Sequence, residues 1–254
     1  MAKALITDQL SLEALAEVNP FVPIWRRILP NLLQLLRVLH GMWTPDVRAT
    51  LAAHPEARHL LSLNDDEVHS RVKAGGQRPP QLASSQVAAP VRRWPLWLNQ
   101  LRQSAYQMLE KACHHKVLYY STETLLAVRE CVLEALPRMD HRHVPWFTKN
   151  FIEPYIINCP FPLFASHLPP ILAPYMHHML LRCSVTWNGL PPAPDPSQPP
   201  DPALAHLVEG GTFILCEGLS KEDFETVLDK LRREVTRSYV EMLQVGVSLW
   251  VGLL

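Results

Sequence analysis

Residues 146–187 carry large apolar side chains at helical spacing along two consecutive arms, with prolines between them. In the second arm, apolar residues recur every three or four positions from Leu168 to Trp187, which places them on one side of an α-helix. The first arm, with Phe147, Phe151 and Tyr155, has the same spacing. Two such helices can cover each other only partly. The stretch therefore predicts a helix followed by a longer helix folded back on it, with further pairs stacked alongside.

Prolines and capping residues predict where the other helices begin and end. Several N-termini are expected at a Ser or Thr whose side-chain oxygen accepts a backbone N–H, and several helices are expected to end at or before a proline. Pro20, Pro23 and Pro30 are expected to divide residues 21–30 into short turns. The remaining helix starts are predicted at Ser11, after Pro30, at Thr44, at Pro95, at Ser121 or Thr122, and at Ser220.

These elements predict an all-α fold, an α-solenoid of HEAT-like antiparallel helix pairs with a repeat of roughly 40 residues. Two stretches carry no helical periodicity and contain Gly-Gly, Pro-Pro or dense proline. The expected organisation is HEAT-like helices at 1–72, a flexible loop at 73–94, HEAT-like helix pairs at 95–190, a Pro-rich linker at 191–203 and a terminal helix region at 204–254. We expect these to form one continuous solenoid segment.

The composition narrows the functional classes. The chain has 24 prolines against 9 glycines, which disfavours a glycine-turned barrel and suits helices ended by proline. Its formal net charge of +0 argues against autonomous nucleic-acid binding, although it permits a local basic stripe. Its 5 cysteines lie far apart, so we expect reduced, mostly buried thiols and no disulfide framework. Neither a signal peptide nor an apolar run long enough to span a membrane is visible.

No motif for catalysis or metal binding is complete. The 12 histidines include His141 and His143 and two adjacent pairs, but neighbouring residues on a helix point about 100° apart and no HExxH or Cys-pair spacing completes a ligand set. A nucleophile elbow and a phosphate-binding glycine loop are also missing. We therefore expect no catalytic residue, no metal, no cofactor and no enzyme activity.

Basic residues allow two interpretations that the sequence leaves open. They either form solvated helix faces balanced by nearby acids, or contact phosphates along the inner wall of a solenoid. The candidate RNA-phosphate contacts are Arg26, Arg27, Lys149, Arg182, Lys230, Arg232, Arg233 and Arg237.

The proline placement and aromatic first arm of residues 146–187, together with LPNLLQLLRVLHGMW and HLLSLNDDEV, resemble the C-terminal third of the exportin-5/HASTY family. This family belongs to the importin-β superfamily of HEAT-repeat nuclear transport receptors. The resemblance covers most of residues 7–245 and implies a receptor segment that shuttles between nucleus and cytoplasm. The partners it implies are Ran-GTP, structured RNA such as microRNA precursors and tRNA, and nucleoporins.

We expect the chain to depart from the family in lacking the N-terminal repeats that make the principal Ran contact in this superfamily. We therefore expect a fragment that does not bind RNA tightly in a Ran-dependent manner by itself. The alternative is a helical-repeat scaffold that binds only proteins. It predicts an acidic or apolar groove where the receptor hypothesis predicts basic residues.

Overall fold

The computed structural model describes residues 19–55, 57, 59–72, 89–188 and 219–251, and within these ranges the chain forms helices and no strands. This confirms the all-α fold class. The first helices are α1 (Val22–Gly41), α2 (Pro45–Ala53), α3 (Asp65–Val72), α4 (Ala89–Ala112), α5 (Lys116–Tyr119) and α6 (Thr122–Cys131). The predictions for a helix at Ser11, for most of the loop at 73–94, for the Pro-rich linker and for 204–218 lie outside the described residues.

Short irregular turns connect α6 to the two arms. Two 3₁₀ turns, Leu133–Arg138 and His141–His143, lead into the first arm. That arm consists of α7 (Val144–Phe147), a π turn (Thr148–Ile152) and α8 (Glu153–Asn158). A 3₁₀ turn (Phe161–Leu163) precedes α9 (Phe164–Asn188), and the last helix is α10 (Lys221–Val251).

α1 runs unbroken through Pro30, so the predicted break at this proline is wrong. A proline inside a helix removes one hydrogen bond and costs about 3 kcal/mol. Here Leu29, Leu32, Leu33 and Leu36 are all buried on one side of the helix, on both flanks of Pro30. Because burying one leucine contributes roughly 1.5–3 kcal/mol, this continuous stripe outweighs the local cost.

α4 also differs from its predicted start, because it begins at Ala89 and contains Pro95. Tyr106 and Leu109, further along α4, are fully buried and anchor it in the core. The predicted caps at Ser121 and Ser220 are confirmed: Ser121 Oγ accepts the N–H of Thr124 at 3.1 Å, and Ser220 Oγ accepts the N–H of Asp223 at 3.0 Å.

The second arm confirms the long helix predicted from its spacing, although three prolines lie inside it. The directions of His141–Asn158 and Phe161–Asn188 differ by 104°, which is nearer to a right angle than to the antiparallel arrangement expected for this stretch. No single described helix qualifies by length and apolarity as a membrane span, and only this bent pair passes that test jointly.

Helices α1, α4, α6, α9 and α10 and the first arm share one core. Its centre is aromatic: Phe147 is fully buried, and its ring lies 5.9 Å from Tyr106, 5.2 Å from Phe151 and 5.9 Å from Tyr175. The first arm is therefore the element on which the helices before and after it both pack.

Truncation of Phe147 tests this arrangement. Phe147→Ala is expected to lower the free energy of unfolding by about 3–5 kcal/mol, because it leaves a cavity among three other rings. The matched control is Phe161→Ala, since Phe161 is 63% exposed and its loss should cost about 0.5 kcal/mol or less. Urea unfolding followed by circular dichroism measures both. Equal losses for the two variants would contradict a core centred on the first arm.

Candidate nucleic-acid interface

The eight basic residues predicted to contact phosphate lie on α1, the first arm, α9 and α10, and they have different environments. Arg26, Arg27, Lys149, Arg233 and Arg237 are exposed. Lys230 and Arg232 are half-buried, and Arg182 is fully buried. The eight residues are therefore not one uniform basic surface.

Arg182 is a correction to the sequence-based site, because its side chain has 0% exposure and cannot reach a phosphate in this conformation. Its guanidinium donates to the backbone carbonyls of Leu136 at 2.9 Å and Met139 at 2.8 Å. It also donates to His178 Nε2 at 2.9 Å and contacts His141 Nδ1 at 2.8 Å. Burial lowers the pKa of Arg182 to about 10, so it remains charged at neutral pH.

The turn that Arg182 contacts also carries a buried ion pair. Asp140 Oδ1 accepts the N–H of Arg142 at 2.9 Å, and the Asp140 carboxylate lies 3.5 Å from the Arg142 guanidinium. Burial raises the pKa of Asp140, and the Arg142 charge opposes that rise. Arg142 Nη1 donates to the carbonyl of Ser62 at 2.9 Å and to Glu67 at 3.3 Å, and Nη2 donates to the carbonyl of Leu61. Arg142 thus ties this turn to the start of α3.

A third buried arginine, Arg102 of α4, approaches the same turn. Its Nη1 lies 2.6 Å from Nε2 of His143, and its guanidinium lies 4.4 Å from the ring centre of Trp43. Because a guanidinium only donates, the His143 nitrogen it meets is unprotonated. Next to this pair, His40 of α1 hydrogen-bonds the hydroxyl of Tyr106. We name Arg102, Arg142, Arg182, Asp140 and His143 the buried arginine cluster.

Sequence reasoning missed the role of this cluster. The signal available was the close succession of Asp140, His141, Arg142 and His143 just after Pro137, an unusually polar run between two apolar helices. The groups that these side chains meet are distant in sequence: Arg182 contacts carbonyls more than 40 positions away and Arg142 contacts carbonyls about 80 away. That pairing fixes the fold and leaves little of the cluster accessible to a ligand.

The basic residues of α10 are mostly engaged with the protein itself. Arg233 pairs with Asp229 at 2.8 Å, and Lys230 donates to the backbone carbonyl of Arg71. Nearby, Arg71 pairs with Glu234 at 2.8 Å. Mixed charge of this kind is ordinary for a solvated helix face.

Lys149 has acidic neighbours as well. Burial raises the pKa of Glu153, the nearby Glu241 raises it further and Lys149 lowers it, so Lys149 acts on the charge of Glu153. Arg26 and Arg27, adjacent residues near the start of α1, are both exposed, and so is Arg237 of α10. Among the eight candidates, Arg26, Arg27 and Arg237 have the surface placement that phosphate contact requires, and Arg26 and Arg27 lie next to each other.

Metal binding finds no support within the described ranges, where no group of three or more His, Cys, Asp or Glu side chains is placed to hold an ion. His141 and His143 are buried and lie against Arg182 and Arg102. Cys113, Cys131, Cys159 and Cys183 are free thiols, and the first three are buried, as the spacing of the cysteines predicted.

The fold and the placement of its polar residues define a class: an all-helical protein of stacked helices, consistent with a helical-repeat fold, whose buried charges connect elements distant in sequence. The chain belongs to the Exportin-5 family, whose family model matches residues 5–249.

Two curated relatives agree with this assignment. The chain is 29% identical to Protein HASTY 1 of Arabidopsis thaliana over 178 residues, which is 64% of this chain and 14% of the relative. It is 25% identical to Exportin-5 of Dictyostelium discoideum over 184 residues, which is 72% of this chain and 15% of the relative. The chain thus matches about one seventh of the length of each. No solved structure matches it significantly.

Removal of Arg182 tests the structural role of the cluster. Arg182→Met is expected to lower the free energy of unfolding by about 3 kcal/mol, because it leaves the carbonyls of Leu136 and Met139 buried without their donor. Arg129→Met, at an exposed position of α6, is the control and should change it by less than about 0.5 kcal/mol. Urea unfolding measures both. A loss for Arg182→Met no larger than the control's would contradict the role assigned here.

The same cluster and the adjacent His40 predict a dependence of stability on pH. Burial is the largest cause of the lowered pKa values of both His40 and His143. The pKa of His40 falls to about 3, and the charge of Arg102 lowers the pKa of His143 further. Both pKa values lie below that of an unfolded histidine, so the unfolded chain binds more protons and stability falls as pH drops below about 6.5. The expected slope is about 1.4 kcal/mol per pH unit for each histidine. Asp140, whose pKa is raised, contributes with the opposite sign.

Urea unfolding between pH 7.5 and pH 5 measures this slope. His143→Gln keeps an acceptor for Arg102 but removes one titrating group, so it should make the slope shallower. Gln107→Ala, at an exposed position of α4 that carries no titrating group, should leave the slope unchanged. Stability that is constant over this interval would contradict the buried, neutral histidines.

Proposed function

We propose that the chain is a segment of a nuclear export receptor that carries structured RNA, such as microRNA precursors and tRNA, out of the nucleus together with Ran-GTP. The observation that carries this proposal is the match of the Exportin-5 family model to residues 5–249. In the same proposal the receptor shuttles between nucleus and cytoplasm, passes nucleoporins and has no enzymatic activity.

Within such a receptor, this segment acts mainly as a structural part. In the core, the buried arginine cluster joins α3, α4 and α9 through the Asp140–His143 turn. The adjacent His40–Tyr106 hydrogen bond joins α1 to α4, and together these contacts make this region rigid. A rigid block of this kind passes small rotations to its neighbours in a stacked array, so that a long receptor can curve around its cargo. Helical RNA is held in such a groove by shape, through phosphates and 2′-hydroxyls.

The direct RNA contribution that we propose for this segment is a small one, made by Arg26 and Arg27. Both are exposed on the second turn of α1, whose first turn carries no acidic residue. By contrast, Arg233 is paired, Lys230 donates to a carbonyl, and Lys149 acts on the charge of Glu153. Two phosphate contacts give weak, salt-sensitive binding and carry no sequence preference.

The alternative function is a helical scaffold that binds only proteins. Exposed large apolar side chains favour it, since Trp97 is 58% exposed and Leu180 is 58% exposed. The charged pairs along α10 also fit a surface that is not specialised for phosphate. The two functions differ in one measurable property, which is salt-dependent binding of duplex RNA.

RNA binding by the chain tests the choice between them. We expect weak binding to a hairpin RNA with a short 3′ overhang, with a log–log salt slope that becomes shallower by about two in the double variant Arg26→Gln/Arg27→Gln. Arg129→Gln/Arg138→Gln, which removes two exposed arginines elsewhere, is the matched control and should retain the slope. Fluorescence anisotropy between 50 and roughly 200 mM salt, with and without Ran-GTP, measures the effect.

Three outcomes separate the functions. A slope that changes only in the Arg26/Arg27 variant supports the receptor proposal. No RNA binding by the unmodified chain, together with none in the presence of Ran-GTP, overturns the RNA contribution and favours the protein scaffold. Equal changes in both double variants would overturn the specific role given to α1.

A further inference from the structure

Arg102 differs from the other two arginines of the buried arginine cluster because it has few acceptors. Arg182 and Arg142 each donate to two backbone carbonyls, and Arg142 also lies against two carboxylates. Arg102 is 2% exposed, and its Nη1 contacts the ring nitrogens of His143. In the described part of the chain, no acceptor lies within hydrogen-bonding distance of its Nε or Nη2. Two donors of a buried cation are therefore left without a protein partner.

Trp43 adds a third donor beside this guanidinium. The guanidinium carbon of Arg102 lies 4.4 Å from the centre of the Trp43 ring, and that of Arg142 lies 6.0 Å from it. The rings of Trp43 and His143 are nearly perpendicular, with centroids 5.0 Å apart. Trp43 is 4% exposed, and its Nε1–H likewise has no acceptor among the described residues. The unpartnered N–H groups of Arg102 and Trp43 thus belong to two side chains in direct contact.

The charges of the cluster are not balanced either. The carboxylates of Asp140 and Glu67 lie 3.5 Å and 3.3 Å from the guanidinium of Arg142. His143 accepts from Arg102 and is neutral. Burial, and then the charge of Arg142, lower the pKa of Arg102 to about 10, so it stays charged at neutral pH. The three arginines of the cluster therefore carry one positive charge more than the two carboxylates balance.

A small anion meets both requirements. A buried N–H without an acceptor costs free energy, and so does a buried charge without a counter-charge. Water can accept from the N–H groups but leaves the charge unbalanced, whereas a monovalent anion does both. Since Arg102, Trp43 and His143 are only 2%, 4% and 3% exposed, the position is closed. It suits a single-atom ion and not a phosphate, which is larger and carries more than the one charge needed.

We propose that the buried arginine cluster holds a structural chloride ion between Arg102 and Trp43, with Arg102 Nε and Nη2 and Trp43 Nε1 as its donors. The ion neutralises the surplus positive charge. It also joins α4 to the end of α1, because Arg102 lies on α4 and Trp43 follows α1 closely. This site is closed to RNA phosphates and goes beyond the export function proposed above.

Stability measured at different chloride concentrations tests the proposal. An ion that binds only the folded chain raises the ratio of folded to unfolded chain by up to about tenfold for each tenfold rise in its concentration above the dissociation constant. We expect this rise when chloride replaces gluconate at constant pH and ionic strength, because gluconate is too large for the closed position. Urea unfolding of the full chain, followed by circular dichroism, measures the ratio.

Two variants remove donors of the proposed site. Trp43→Phe keeps an aromatic ring beside Arg102 but removes the Nε1–H, so it should raise the dissociation constant for chloride severalfold. Arg102→Met removes two donors and the surplus charge, so it should abolish the chloride dependence. Trp97→Phe and Arg129→Met, at exposed positions of α4 and α6, are the matched controls and should retain the full dependence.

Bromide locates the ion, because it replaces chloride and scatters X-rays anomalously. Crystals of the chain grown in sodium bromide should show an anomalous difference peak between the guanidinium of Arg102 and the indole of Trp43. Bromide peaks confined to the protein surface would identify adventitious ions only and would overturn the site.

The stability measurements decide the proposal in the same way. A chloride dependence that Trp43→Phe weakens and that both controls retain supports the site. Equal stability in chloride and gluconate overturns it and assigns water to the three donors. A dependence of the same size in the unmodified chain, in Trp43→Phe and in Arg102→Met also overturns it, since that is a general salt effect. If Arg102→Met does not fold, the comparison of Trp43→Phe with Trp97→Phe decides.

Discussion

The fold depends on the way that three buried arginines hold one short turn. This turn, Asp140–His143, lies between the helices. Arg182 donates to the carbonyl of Met139, the residue just before the turn. Arg142 extends from the turn to the start of α3, and Arg102 contacts His143, the last residue of the turn. Burying a charge is costly unless hydrogen bonds or an opposite charge replace its water. Here backbone carbonyls and imidazoles accept from Arg182, and the Asp140 carboxylate lies 3.5 Å from the Arg142 guanidinium. Such contacts demand one relative placement of the helices, which apolar packing alone does not impose.

This arrangement separates the structural charges of the chain from those that a ligand can reach. Arg182 resembles a phosphate contact in the sequence, but its donors are directed to the protein interior. Several exposed cations are paired with acids, as Arg37 is with Glu130 and Arg233 is with Asp229. This separation agrees with the function proposed above, in which cargo is held by shape across many helices and no single region binds strongly.

The sequence predicts the helices better than the contacts between them. Apolar spacing and caps locate α9, α6 and α10, because Ser121 and Ser220 act on backbone groups three residues away. The predicted helix break at Pro30 is wrong because the free-energy cost of this proline is local. The buried leucines on both sides of it gain more free energy by packing against helices that are distant in sequence. Likewise, the choice between surface and core for Arg182 depends on Leu136 and Met139, whose proximity arises only after folding.

Native-state hydrogen exchange at the amide of Arg142 tests most directly whether the Asp140–His143 turn is a fixed junction. This N–H donates to Asp140 Oδ1 at 2.9 Å inside the core. If the buried arginine cluster fixes the fold, this amide exchanges only when the whole chain unfolds, and its exchange free energy equals that from urea unfolding. Exchange through a local opening, with a free energy several kcal/mol below the global value, would contradict the account.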